Sequence, residues 1–251
     1  MMDLPQSFLT RPIAHRALHN RAVGRPENSR AAMKAAVDRG YGIEIDLQMS
    51  SDGQAMVFHD YDLKRLTGQD GQVCQMTAKE LGAIPLLHGD EGIPTLPEIL
   101  EVVQGKVPLL IEVKDLVGGL GPNVGTLEAA AAKALYGYQG DVALMSFNPH
   151  SVAALADLAP QIPRGLTTSG YLARDWPRVH EPMRIKLRQI GDFDRVGACF
   201  ISHDANELDS PRVAELKAQG TPILCWTIRS AEAEAKARRV ADNVTFEGYL
   251  A

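Results

Sequence analysis

Several classes of protein are excluded by what this chain has little of. No apolar run approaches the ~18 residues needed to cross a bilayer, so no stable membrane insertion is expected. The stretch Met1–Ser7 has neither a basic n-region nor an apolar h-region, which argues against export. Cysteine is scarce: Cys74, Cys199 and Cys225 are an odd number without paired-ligand spacing. They read as small buried or half-buried side chains rather than a disulfide or a zinc site, and a reducing cytoplasm fits. There is no excess of basic residues; the net charge is −5 and the pI about 5.8, so neither nucleic acid nor an anionic membrane is an expected partner. The nucleotide fingerprints GxGxxG and GxxxxGK[ST] are missing. No Gly/Ser-rich or Pro-rich linker divides the 251 residues, and a single domain over 1–251 is expected.

What is present is a regular alternation of strand and helix, organised around residues 42–60. Residues two apart on a strand share a face. Ile43, Ile45 and Leu47 therefore form an apolar side, and Glu44 and Asp46 sit together on the other. Ser51-Asp52-Gly53 supplies a hairpin turn, and the returning run Ala55–Phe58 brings His59-Asp60 back towards the acids. Leu109–Lys114 repeats the design and ends in Glu112 and Lys114 on one face.

Further strands are expected at Pro12–Ala14, Val142–Ser146, Arg164–Thr167, 197–202, Ile223–Thr227 and Val244–Phe246, the Leu109 strand starting near 107. Helices are expected from Asn28 or Ser29 to Arg39, from Thr95 to about Gln104, Thr126 to Tyr136, Pro149 to Leu158, 174 to 189, Ser210 to Gly220, and Ser230 to Val240. Eight strand–helix units predict a parallel (β/α)8 TIM barrel, with residues 61–95 as a small insertion after the second strand. The sequence stops five residues after Phe246, so no final outer helix is expected, and residues 1–11 are short for a substitute.

Barrel active sites lie at the C-terminal ends of the strands. His15, Arg16, Glu44, Asp46, Glu112, Lys114, Phe147 and Trp226 all fall there, and the hairpin adds His59. Three carboxylates at one mouth repel one another unless a cation joins them, and all-oxygen ligation suits Mg2+ or Ca2+. Arg16 and Lys114 are fixed charges suited to phosphate oxygens. His15 and His59 form a pair able to exchange protons near neutral pH. Together these groups point to phosphodiester cleavage. His19, His88, His150, His180 and His203 lack such surroundings and read as structural; Ser202-His203-Asp204 is no triad, because adjacent side chains cannot meet in that geometry.

The chain resembles the glycerophosphodiester phosphodiesterase family. The matching elements are Ala14-His15-Arg16, Arg25–Ser29, Gly42–Asp46, Ser51-Asp52-Gly53, Phe58-His59-Asp60 with Leu63 and Arg65–Gly68, Ile93–Leu96, Ile111–Lys114 and Cys225-Trp226-Thr227. The resemblance implies a TIM-barrel hydrolase that cleaves small-molecule glycerophosphodiesters to sn-glycerol 3-phosphate and an alcohol with one divalent cation. It implies Glu44, Asp46 and Glu112 as metal ligands, His15 and His59 as the acid–base pair, and Arg16 and Lys114 as phosphate holders; Asn28 would shape the site. Two positions depart from the family: Ala17 stands where glycine is usual, and Phe246–Tyr249 lacks the common Asp-bearing strand end. Two rival functions are a lipid phosphodiesterase of the lysophospholipase D or phosphatidylinositol phospholipase C kind, and a non-catalytic phosphate-binding barrel. The first needs an apolar approach, for which residues 61–95 offer Leu81, Ile84, Leu86, Leu87 and Ile93.

Overall fold

Alternating polar and apolar positions fold into a closed barrel in the computed structural model, which describes residues 3–251. The strands are β1 (Ile13–Ala14), β2 (Gly42–Met49), β3 (Ala55–Val57), β4 (Leu109–Val113), β5 (Val142–Ser146), β6 (Arg164–Thr168), β7 (Phe200–Asp204), β8 (Ile223–Ile228) and β9 (Asn243–Phe246). β3 runs antiparallel to β2 as the outer arm of the hairpin; the other eight are parallel. β1 closes the ring by pairing with β2 on one side (Ala14 opposite Ile43) and β9 on the other (Ala14 opposite Phe246).

Helices α1 (Ser7–Thr10), α2 (Arg30–Arg39), α3 (Lys64–Thr67), α4 (Ala78–Gly82), α5 (Leu96–Val103), α6 (Thr126–Leu135), α7 (Pro149–Leu158), α8 (Glu181–Arg188), α9 (Pro211–Ala218) and α10 (Ala231–Ala237) complete the order. Their starts are chemically marked. Ser29, Ser210 and Ser230 accept backbone N–H bonds as N-caps, and Thr77/Glu80 and Thr95/Glu98 form complete capping boxes. The helices cover the outward faces of the strands: Ile43, Ile45 and Leu47 of β2 belong to the same buried cluster as Met33 and Ala36 of α2 and Ile99 of α5.

The expected helix at 174–189 is shorter, beginning at Glu181. Proline fits only the first helical turn; Pro182 takes that place, while Pro177 keeps the preceding residues in turns. The strand expected at 197–202 slides to Phe200–Asp204. Of the cysteines, Cys225 is buried and Cys199 half-buried, but Cys74 is exposed; all three are free.

The described part of the N-terminal segment, from Asp3, neither replaces an outer helix nor hangs free. α1 lies beneath the barrel, and fully buried Phe8 packs with Ile13, Leu110, Ala143, Phe200 and Leu224 of the strands above. Asn243 ties it down, its Nδ2 donating to the carbonyls of Phe8 (2.7 Å) and Arg11 (2.6 Å). Barrel closure follows from the β1–β9 pairing. Residues 247–251 lie against α10 and the end of α2: Tyr249 donates to Glu234, and Tyr41 to the carbonyl of Ala251.

The insertion has its own core. Leu81, Ile84, Leu86 and Ile93 pack with Met56, Phe58, Leu63, Leu66 and Val73, and of the five apolar residues named above only Leu87 is exposed. That removes the apolar approach which the lipid-diester alternative needed from this segment.

Candidate active site

β2 and β4 put the carboxylates inside the barrel because their apolar residues alternate outward to the helices. The register sets Asp46 directly opposite Glu112, with Glu44 two residues below Asp46. Their oxygens lie within 4.8 Å of one another, and all three residues are buried. Lys114 reaches back over the strand end, its Nζ 2.7 Å from Asp46 Oδ1 and 2.6 Å from Glu112 Oε1. The Arg16 backbone N–H donates to Glu44 Oε2 at 2.9 Å, and its guanidinium meets Glu27 Oε1 at 2.7 Å and Asp46 Oδ2 at 3.5 Å.

The loop after β1 is left-handed at both Arg16 (φ 53°) and Ala17 (φ 65°). A glycine would take this conformation without strain; Ala17 takes it at a cost of about 1 kcal/mol. Asn28 is left-handed as well; its Nδ2 donates to Asp46 Oδ2 at 3.0 Å, while its Oδ1 is buried without a partner.

The electrostatics divide the three acids. Burial, then the charges of Asp46 and Glu112, push the Glu44 carboxyl well above its ordinary range. Burial acts on Asp46 too, but Lys114, His59 and Arg16 outweigh it and hold Asp46 well below that range. Lys114 is raised despite its burial, because Asp46 and Glu112 flank it. A buried, all-oxygen set in which neighbouring negative charge raises one carboxyl is chemically suited to a hard divalent cation. The orphan amide oxygen of Asn28 beside Asp46 adds a further oxygen donor to that environment.

Each histidine is oriented by a carboxylate. His15 Nδ1 lies 2.6 Å from Glu247 Oε2, and His59 Nδ1 lies 2.6 Å from Asp60 Oδ1. This leaves Nε2 of both rings for proton exchange. Glu247 is itself clamped by Arg229 at 2.7 Å and has His19 at 3.6 Å. Asp60 is held by Arg65, which also grips Glu27, so a continuous chain of ion pairs joins His59 to Arg16 through Asp60, Arg65 and Glu27.

A cavity of about 180 Å3 is lined by all nine residues expected from the sequence: His15, Arg16, Glu44, Asp46, His59, Glu112, Lys114, Phe147 and Trp226. A second cavity of about 580 Å3 opens beside it and shares His59, Glu112, Lys114 and Phe147. Sequence reasoning missed Glu247, whose strand end looked like a departure, and Trp176, which fell inside an overlong helix. It also passed over Glu27 and Asp60, although both stand inside the quoted motifs. Among the histidines set aside, His203 is structural. It is buried, with Nδ1 2.7 Å from Thr168 Oγ1 and Nε2 3.2 Å from the Glu207 carbonyl.

A sequence profile of the Glycerophosphoryl diester phosphodiesterase family matches residues 15–244. A glycerophosphodiester phosphodiesterase of Caldanaerobacter subterraneus is 32% identical over 178 residues, covering 67% of this chain and 70% of its own. Among solved structures, an Oleispira antarctica phosphodiesterase in complex with its product sn-glycerol-3-phosphate superposes with a TM-score of 0.78 at 25% identity, over 96% of this chain and 94% of that one. A glycerophosphodiester phosphodiesterase from Thermotoga maritima shares the fold with a TM-score of 0.70 at 21% identity, over 94% of each chain.

Proposed function

The chain belongs to the glycerophosphoryl diester phosphodiesterase family of enzymes, and from that premise we propose that it hydrolyses glycerophosphodiesters to sn-glycerol 3-phosphate and an alcohol. The reading has a divalent cation, Mg2+ or Ca2+, held by Glu44, Asp46 and Glu112, with His15 and His59 as the acid–base pair. The observation that carries it is the single cavity in which two carboxylate-oriented imidazoles flank three buried acids. When bound there, the cation supplies Lewis-acid polarisation of phosphate and hydroxyl oxygens.

The chain's own groups do the rest. Arg16 and Lys114 offer their remaining N–H donors to the phosphate. His15 lines the smaller cavity alone, whereas His59 stands at the seam between the two. His15 is therefore assigned to the glycerol side as base and His59 to the departing alcohol as acid. Burial, reinforced by Arg16, lowers the His15 pKa against the opposing pull of Glu247, which favours the neutral, proton-accepting ring.

In the first half-reaction His15 takes the proton of the glycerol 2-hydroxyl while its oxygen attacks phosphorus. The bond from phosphorus to the alcohol oxygen breaks, and that oxygen takes a proton from His59. In the second half the roles reverse. His59 removes a proton from water as it attacks phosphorus, and His15 returns a proton to the glycerol 2-oxygen, opening the cyclic phosphate.

The kcat/KM for alcohol release from choline and p-nitrophenyl esters of glycerol 3-phosphate, which reports the first half-reaction alone, separates the two imidazoles. A p-nitrophenolate leaves without needing a proton. His59→Ala should lose roughly 10²–10⁴-fold on the choline ester and far less on the p-nitrophenyl ester, while His15→Ala loses comparably on both. The opposite pattern would reverse the assignment. Normal cleavage of a 2-deoxyglycerol diester would rule out the cyclic route.

A further inference from the structure

We propose that the larger cavity is a leaving-group subsite for an alcohol bearing a cationic nitrogen, so that the preferred substrates are zwitterionic glycerophosphodiesters. The inference rests on the reading of the activity above and specifies its substrate.

The cavity begins where the chemistry ends. It shares His59 and Lys114 with the smaller cavity, so a diester whose phosphorus lies between the imidazoles must send one arm into each. Its wall is aromatic. The chain has two tryptophans, and they stand on either side of Phe147: Trp226 at 5.6 Å in the smaller cavity and Trp176 at 4.9 Å in the larger. Tyr61 lines the same space and is 40% exposed.

Charge decides between a cation and a neutral alcohol. Five carboxylates and three basic side chains line the cavity, and each base is already matched to an acid. Lys64 pairs with Asp70 at 2.9 Å, Arg65 with Glu27 and Asp60, and Lys114 with Asp46 and Glu112. The Asp115 carboxylate is used up by the Leu120 N–H and the Asn148 amide, both at 2.9 Å. Asp62 has no ion pair among the described residues, and Asp175 has only a 3.6 Å approach from the exposed Arg174. Two acids without firm partners, lining the same cavity as three aromatic rings, attract a cation and in particular a quaternary ammonium, which needs no hydrogen-bond acceptor. A polyol such as a second glycerol would gain neither the ring faces nor the charge.

The experiment compares kcat/KM for the choline, ethanolamine and glycerol esters with that for the 3,3-dimethylbutyl ester, which copies the shape of choline without its charge. The choline ester should exceed the isostere by about tenfold, and that ratio should fall to between 1 and 3 in Trp176→Leu and in Asp175→Asn. A choline ester ahead of the ethanolamine ester would mark the rings as the dominant attraction; the reverse order would mark the carboxylates. Equal rates for the choline ester and its isostere in the wild type, or a ratio unmoved by both substitutions, would overturn the proposal. If no diester is cleaved, the reading of the activity fails. The cavity is then still decided by the Kd values of the two isosteric esters, followed by quenching of tryptophan fluorescence, with a tenfold difference expected and equality overturning it.

Discussion

Glu27 links the two halves of the candidate site, since Arg16 and Arg65 both close on its carboxylate. Burial alone would raise its pKa, but the hydrogen bonds and charges of Arg65 and Arg16 bring it down from 4.5 to about 2. The sign follows from linkage: a carboxyl depressed in the folded state stabilises it fully above its unfolded pKa and loses that contribution as the pH falls towards the folded value. Glu27 therefore contributes about 3 kcal/mol at neutral pH, lost between pH 4.5 and about 2. Urea unfolding of wild type and Glu27→Gln should show a gap of that order at pH 7 that narrows as the pH drops through this window. A gap independent of pH would place the effect elsewhere. Residues whose position depends on strand alternation, such as Glu44, Asp46 and Glu112, were legible in the sequence. Glu247 was not, because nothing local says that a carboxylate at residue 247 will meet a histidine 232 positions earlier; only the β1–β9 pairing brings them together.

Secondary-structure elements were legible where side chains of the segment itself determine them. The capping box at Thr95 and the N-caps at Ser29, Ser210 and Ser230 give helix starts that match the structure. Segments fixed by distant partners were less legible. α1 has no side-chain cap and only four residues, and its stability comes from burying Phe8 under the barrel rather than from helical propensity. Phe8→Ala should cost about 3–5 kcal/mol of unfolding free energy, measured by chemical denaturation. A loss below about 1 kcal/mol would mean that the barrel floor is sealed without α1. The insertion's apolar residues likewise looked available to a substrate until their mutual burial accounted for them.

At the scale of the whole molecule, the (β/α)8 alternation was the clearest signal, and β1 closes the ring by pairing with both β2 and β9. None of the described helices is long and apolar enough to cross a membrane. The barrel's polarity is divided by depth: an apolar lower layer with Phe8 beneath it, and above it a mouth with three buried acids, two imidazoles and two flanking cations. In the function proposed above, that division would give a cation and a phosphodiester one place to meet. The most direct test is turnover of glycerophosphocholine by protein stripped with a chelator and then given graded Mg2+ or Ca2+. Activity should vanish on stripping and return with the added cation in wild type, but stay absent in Glu44→Gln at the same cation concentrations. Full turnover by the stripped enzyme would contradict the account.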